Sequence, residues 1–290
     1  MLISVQSLQK KRLHFINFKH MKAQIVTNNE LSLEYYTQGI GRHTLVCFHG
    51  HGRGVEDFNF LRSNNRRLIL IVLPHHGKSQ FPIDRIESQP LSISEFNSTF
   101  KKILKQEAVE HLHFIGFSQG GRFVLSLLPF YKDRLQSVQV ISPDGMDPMS
   151  FYNRTSRMRL ARLLFQKWEG SPKSFIKIAK LAYRIGLVRP KVFAFIELFA
   201  GNKDKFQRAS RTWRGFRNIK PDFNAISSSL NSNKIYFKVI MGKYDQVIRT
   251  QQANQFLEQL GFPEALIEIE CGHDFFKDSN LSRLKKAINI

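Results

Sequence analysis

Ser118 lies in Gly116-Phe117-Ser118-Gln119-Gly120, a G-x-S-x-G pattern with an apolar run before it and a helical pattern after it. A serine hydroxyl is a weak nucleophile at neutral pH and needs a neighbouring base to take its proton. Imidazole suits that task because its pKa lies near the working pH, and a carboxylate behind it fixes the tautomer and stabilises the cation. Both groups follow downstream: Asp245 in Met241-Gly242-Lys243-Tyr244-Asp245, and His273 in Cys271-Gly272-His273-Asp274. Each stands just past an apolar run, where a strand would deliver it to a sheet edge. His49, His51, His75 and His76 form a second group of chemically able residues. Their spacing lacks an HExxH or paired-ligand pattern and no acid accompanies them, so they predict bracing or lining of a pocket mouth, with no metal or cofactor.

The elements needed to position these residues can be read from periodicity. Gln24–Thr27 and Leu31–Tyr36 alternate like an antiparallel pair joined by Asn28-Asn29. Thr44–Phe48, Leu68–Leu73, Leu112–Phe117 and Ser137–Ile141 are short apolar runs suited to a sheet covered on both faces. Val55–Leu61, Ser94–Gln106 and Arg122–Leu128 predict helices between them. Strand patterning stops over residues 150–231, where Ser171-Pro172 and Pro190 read as helix starts and Gly186 as a stop. It returns at Lys234–Met241 and Ala265–Glu270, with helices from Thr250 to Leu260 and from Leu281 onward. Alternation of this kind predicts an α/β fold. Its expected divisions are a core over 22–146 and 232–290, a basic helical lid over 147–231, and an amino-terminal extension over 1–21.

In these residues the chain resembles the α/β hydrolases, over about residues 22–290, with the family's chain order of Ser, Asp and His. The resemblance implies a mostly parallel eight-stranded sheet with helices on both faces and a lid inserted after the sixth strand. It also implies Ser118 as nucleophile, Asp245 as orienting acid and His273 as general base. Asp144, in Ser142-Pro143-Asp144-Gly145, is the alternative acid, a place some members use, although Pro-Asp-Gly is also an ordinary turn. His49-Gly50 resembles the oxyanion loop, which implies the backbone N–H groups of His51 and Gln119 as oxyanion donors. Leu73-Pro74-His75-His76-Gly77-Lys78-Ser79 is similar to the LPGHGxS turn, with His75 replacing a glycine. His49, His75 and Phe117 are the expected pocket-lining residues. The implied activity is hydrolysis of an ester or thioester through an acyl-enzyme; carbon–carbon bond hydrolysis, lyase or acyl-transfer chemistry on the same residues is the alternative.

Composition bounds the rest. With 290 residues, 42% of them hydrophobic, and 26 Phe, the chain can bury a large core. Net charge is +21, and residues 151–220 alone hold eighteen Lys and Arg against Glu169, Glu197 and Asp204, a surplus of fifteen. Such a surplus favours an anionic small-molecule substrate or peripheral contact with an anionic membrane. A non-catalytic protein whose basic lid grips lipid or nucleic acid is the competing reading, but no nucleic-acid module is recognisable, so no specific nucleic acid is expected. No apolar run reaches the ~18 residues needed to span a bilayer. Two cysteines at strand ends suit a reducing, cytoplasmic compartment.

Overall fold

The computed structural model describes residues 21–188 and 200–288, with 190, 193 and 197 between them. The extension expected over residues 1–21 lies outside this range except for Met21.

β1 (Lys22–Asn28) and β2 (Leu31–Gln38) form a hairpin around Asn29, whose φ of 52° is the left-handed value a tight turn requires. β3 (His43–Phe48) leads through a 3-10 turn over Val55–Leu61 to β4 (Arg66–Ile71). A four-residue helix α1 (Arg85–Ser88) precedes α2 (Ile93–Gln106), whose start is fixed by Ser92 Oγ accepting from the Glu95 N–H at 3.1 Å. β5 (Leu112–Phe117), α3 (Gln119–Tyr131) and β6 (Leu135–Ile141) follow. The helical stretch comprises α4 (Phe151–Arg157), α5 (Arg159–Gly170), α6 (Pro172–Arg184), α7 (Lys203–Gly215) and α8 (Phe223–Ser232). β7 (Tyr236–Gly242), α9 (Thr250–Leu260), β8 (Leu266–Ile269) and α10 (Asp278–Ala287) complete the described chain.

The eight strands lie in the order β1-β2-β4-β3-β5-β6-β7-β8. β2 pairs antiparallel with β1 and β4, and every pairing from β4 to β8 is parallel. Strand side chains alternate between two apolar layers. Val46, Phe48, Phe114, Val138, Val140 and Val239 join Phe96, Phe100 and Phe123 of α2 and α3 on one face. Leu45, Cys47, Ile115, Phe117, Ile141 and Ile240 meet Phe58 and Leu284 on the other. Both faces are dry, which is why the strands read as unbroken apolar runs. Phe48 is fully buried against the rings of Phe96, Phe100 and Phe114, at centroid distances of 6.4, 5.6 and 5.9 Å. Truncating such a residue to alanine costs about 3–5 kcal/mol.

The helices between β6 and β7 have a small core of their own. Phe165 and Trp213 stand 4.7 Å apart and Trp168 and Phe175 4.8 Å apart, with Phe206 stacked beneath Phe165 at 6.0 Å. Ion pairs hold these helices together through Glu169 and tie them to the sheet side through Glu87. Glu169 accepts from Ser210 at 2.7 Å and pairs with Arg211 at 3.1 Å and with Arg214, while Glu87 at the end of α1 pairs with Arg162 at 2.9 Å and Arg214 at 3.0 Å. Arg214 is 1% exposed, so its charge is stable there only because two carboxylates meet it. α8 packs on α3 and α9.

Candidate active site

β5 runs directly into Ser118, where φ is 50° and ψ −116°, a combination few non-glycine residues adopt. Small neighbours make the turn possible: a Cβ on Gly120 would sit 2.0 Å from the Phe48 carbonyl oxygen, and one on Gly116 2.8 Å from the Gly120 carbonyl oxygen. Three backbone bonds hold the turn. The Ser118 N–H donates to Ile141 O at 2.9 Å, and the N–H groups of Gly121 and Asp144 donate to Ser118 O at 2.9 Å each. The hydroxyl therefore stands at the carboxyl-terminal edge of the sheet, between β3 and β6.

β7 and β8 bring their following loops to the same edge. His273 Nε2 lies 3.1 Å from Ser118 Oγ, and His273 Nδ1 lies 2.6 Å from Asp245 Oδ2. Asp245 is 4% exposed, and Oδ2 also accepts from Ser142 Oγ at 2.6 Å while Oδ1 accepts from the N–H groups of Val247 and Ile248 at 2.7 and 3.0 Å. Burial works to raise its pKa, but the hydrogen bonds from His273 and Ser142 outweigh it and hold the carboxyl below its ordinary value. An ionised Asp245 accepts a hydrogen bond from the Nδ1–H of His273, which leaves the Nε2 lone pair directed at the serine hydroxyl.

Asp144 is occupied elsewhere. Arg122, 1% exposed inside α3, grips it with Nε at 2.9 Å and Nη2 at 2.8 Å and also reaches Asn153 Oδ1 at 3.0 Å and Ile219 O at 3.3 Å. Nothing in the spacing of Arg122 and Asp144 pairs them, but an arginine within Gly-Gly-Arg-Phe-Val-Leu is a signal by itself. A guanidinium on an apolar helix must find a carboxylate.

The loop after β3 passes against the serine, since a Cβ on Gly50 would come within 3.3 Å of Ser118 Cβ. Gln119 is the first residue of α3, and its backbone N–H is among those with no intrahelical acceptor. His51 Nδ1 faces Thr212 Oγ1 of α7 at 3.3 Å.

Two of the expected pocket-lining residues are packed away instead. His49 has no exposure; its Nε2 accepts from the Leu73 N–H at 3.0 Å and its Nδ1 donates to Gly50 O at 2.7 Å. Phe117, 1% exposed, lies with its ring 4.9 Å from the ring of His273 and supports it from behind. Strand alternation points Phe117 into the layer of Phe58 and Leu284, away from the cleft. His76 plays a part like that of His49: its Nε2 accepts from the Gly52 N–H at 2.9 Å and its Nδ1 donates to Pro74 O at 3.2 Å. Burial lowers the pKa of His49 to about 4 and that of His76 to about 2, so both are neutral tethers between the β3 and β4 loops. Among the described residues no cluster of three His, Cys, Asp or Glu has ligating geometry. Cys47 and Cys271 are buried and unbridged.

His75 adopts φ 65° and stacks on Phe216 at 6.1 Å. With Asp204, Gln207, Arg208 and Arg211 it lines a cavity of about 190 Å³. A larger hollow of about 640 Å³, lined by Gly39, Arg42, Arg67 and His111 among others, opens at the amino-terminal ends of β3 and β5. That is the wrong end of the sheet for Ser118, because open α/β sheets present reactive groups at the carboxyl ends of their strands.

Residues 43–170 match the family model for the alpha/beta hydrolase fold, and with the strand order above the protein has the α/β-hydrolase fold. It is 30% identical over 130 residues to a 2-hydroxy-6-oxononadienedioate/2-hydroxy-6-oxononatrienedioate hydrolase from Paraburkholderia phymatum, a match spanning 42% of this chain and 43% of that protein. Among solved structures it is similar to a thioesterase domain of the curacin biosynthetic pathway, with a TM-score of 0.61 and 13% identity over 93% of this chain and 100% of that one. A membrane phospholipase A described as a bacterial virulence factor gives 0.63 and 16% over 97% and 89%. A bromoperoxidase from Bacillus anthracis gives 0.58 and 19% over 91% and 99%. Such different activities on one scaffold mean that these likenesses show the fold alone. No helix among the described residues is long and apolar enough to cross a membrane.

Proposed function

We propose that the protein is a serine hydrolase that cleaves a carboxylic ester or thioester. The observation that carries this reading is the contact of His273 Nε2 with Ser118 Oγ at 3.1 Å, on an imidazole whose other nitrogen meets buried Asp245 at 2.6 Å. Ser118 Oγ attacks the carbonyl carbon while its proton passes to His273 Nε2. The oxyanion forms against the N–H groups of His51 and Gln119, donors of a kind whose loss costs about 10²–10³ in rate. Collapse expels the alkoxide or thiolate, which takes the proton from His273. Water, deprotonated by the same nitrogen, then attacks the acyl-enzyme and releases the acid. Ser118→Ala should abolish both 4-nitrophenyl butyrate turnover and fluorophosphonate labelling while leaving the circular dichroism spectrum intact. Undiminished turnover in that variant removes the mechanism.

Carbon–carbon bond hydrolysis on the same residues is the second reading, favoured by the identity to the Paraburkholderia enzyme. Turnover of a 2-hydroxy-6-oxo-dienoate at a higher kcat/KM than any ester would put it first.

Residues 147–231 act as a lid on a core of 22–146 and 232–290 in this proposal, and their outer side rests on an anionic membrane. Leu160 and Leu163 of α5 are 69% and 47% exposed, and Ile178 and Leu181 of α6 are 53% and 61% exposed. Lys167, Lys173, Lys177, Lys180 and Arg184 are interspersed with them. Aliphatic faces ringed by cations match an interface of anionic lipid. Two buried, unbridged thiols fit a reducing cytoplasm.

A further inference from the structure

We propose that Arg208, together with His75 and Gln207, forms a carboxylate-binding subsite beside Ser118, so that the substrate is an acyl compound carrying a free carboxylate away from its reacting carbonyl. This inference rests on the hydrolase reading above and names the substrate class for that site.

The position of Arg208 follows from helix geometry. Arg208, Arg211, Thr212 and Gly215 are spaced i, i+3, i+4 and i+7 on α7 and share one face. That face lies over the loops that follow β3 and β4. Thr212 Oγ1 is 3.3 Å from His51 Nδ1, and a Cβ on Gly215 would lie 3.8 Å from His75 Nε2. One turn earlier on the same face, Arg208 lines the 190 Å³ cavity with His75, and its positive charge helps to depress the pKa values of His49, His51 and His76. Gly50, adjacent to His51, is the residue whose added Cβ would meet Ser118 Cβ at 3.3 Å. The cavity therefore lies one helical turn along α7 from Thr212, which meets the loop after β3, and that loop packs through Gly50 against Ser118.

Charge balance then selects the ligand. Arg162, Arg211 and Arg214 are engaged with Glu87 or Glu169, whereas Arg208 is half-buried and has no ion-pair partner among the described residues. His75 Nε2 is buried with no hydrogen-bond partner, and burial, ahead of the nearby arginines, lowers the His75 pKa to about 4. The pocket thus offers one uncommitted guanidinium and one neutral imidazole. Asp204 also lines it and is exposed to water, which opposes any second negative charge. One guanidinium fork with a neutral donor fits a carboxylate, which it can meet with two parallel bonds, better than a dianionic phosphate.

The test compares kcat/KM for mono-4-nitrophenyl adipate and 4-nitrophenyl hexanoate, whose acyl chains are equal in length. A second pair places the carboxylate on the leaving group, using hexanoyl esters of 4-hydroxybenzoate and of phenol. The wild-type protein should prefer the charged member of at least one pair. Arg208→Gln should cut that preference at least tenfold, Arg208→Lys should restore part of it, and Lys205→Gln, which removes an equal charge from exposed α7 surface, should leave it within twofold. No preference in either pair, or a preference that Lys205→Gln lowers as much as Arg208→Gln, overturns the subsite. Calorimetry on the Ser118→Ala protein separates this from the reaction. Adipate should bind at least tenfold more weakly when Arg208→Gln is added, and inorganic phosphate more weakly than adipate. Equal or tighter phosphate binding overturns the carboxylate assignment. Adipate binding that depends on Arg208 in a protein that neither turns over esters nor reacts with fluorophosphonate would leave the subsite standing and fell the hydrolase reading instead.

Discussion

Two aspartates near Ser118 differ in what surrounds them, and that difference predicts what each does. Asp245 is buried among four donors, one of them His273. Asp245→Asn should lower kcat by about 10³–10⁴ with little loss of stability, because an amide can no longer fix the tautomer of His273. Asp144 is held by Arg122, and Asp144→Asn should act in the opposite sense. It leaves a buried guanidinium uncompensated, at a cost of about 3–5 kcal/mol in urea unfolding, while residual kcat in folded protein falls far less. A large rate loss in Asp144→Asn with Asp245→Asn near wild type would exchange their roles. The residue types and the order Ser118, Asp245, His273 were legible in the sequence because each follows an apolar run. The engagement of Arg122 with Asp144, and of Ser142 with Asp245, was not, since these partners lie 22 and 103 positions apart and no local period encodes a long-range hydrogen bond.

Elements divide by how their patterns are enforced. Strands covered on both faces announce themselves, and the expected runs match β3 to β7 to within two residues at each end. Val55–Leu61 has helical spacing but forms a 3-10 turn, which repeats every third residue and needs no long run. α5 and α6 carry apolar residues on two sides, one packed together in the half-buried aromatic cluster of Phe165, Trp168 and Phe175 and one facing water. Periodicity alone could not separate the two. The outward set gives a prediction at this scale. Replacing Leu160, Leu163, Ile178 and Leu181 together by serine should reduce co-sedimentation with phosphatidylglycerol vesicles at least tenfold while leaving turnover of a soluble ester intact. Binding that persists undiminished, or that is equal on phosphatidylcholine vesicles, would show that these faces do not seek anionic lipid.

At the scale of the whole molecule, buried neutral histidines set the acid limit. An unfolded histidine takes up a proton near pH 6.5, whereas buried His49 stays neutral down to about 4 and His76 to about 2. Between those values the unfolded state binds more protons, so stability is full above about pH 6.5 and falls as pH drops, by about 1.4 kcal/mol per pH unit for each such group. Asp245, with its depressed pKa, adds a further loss only below the ordinary carboxylate value. The urea midpoint should therefore decline steadily from pH 6.5 to 4, and His49→Gln should flatten that slope. A midpoint independent of pH over this range would contradict the tethering of the β3 and β4 loops by neutral rings.

Ser118 hangs from β5, which is flanked on both sides by parallel strands and sealed by phenylalanines. Backbone amides there should be the slowest in the protein to exchange with heavy water, and those of α5 and α6 among the fastest. Diversification can therefore proceed in the roof without loosening the foundation. On the proposed reading of residues 147–231 as a lid, a new surface there would redirect the choice of substrate without moving Ser118.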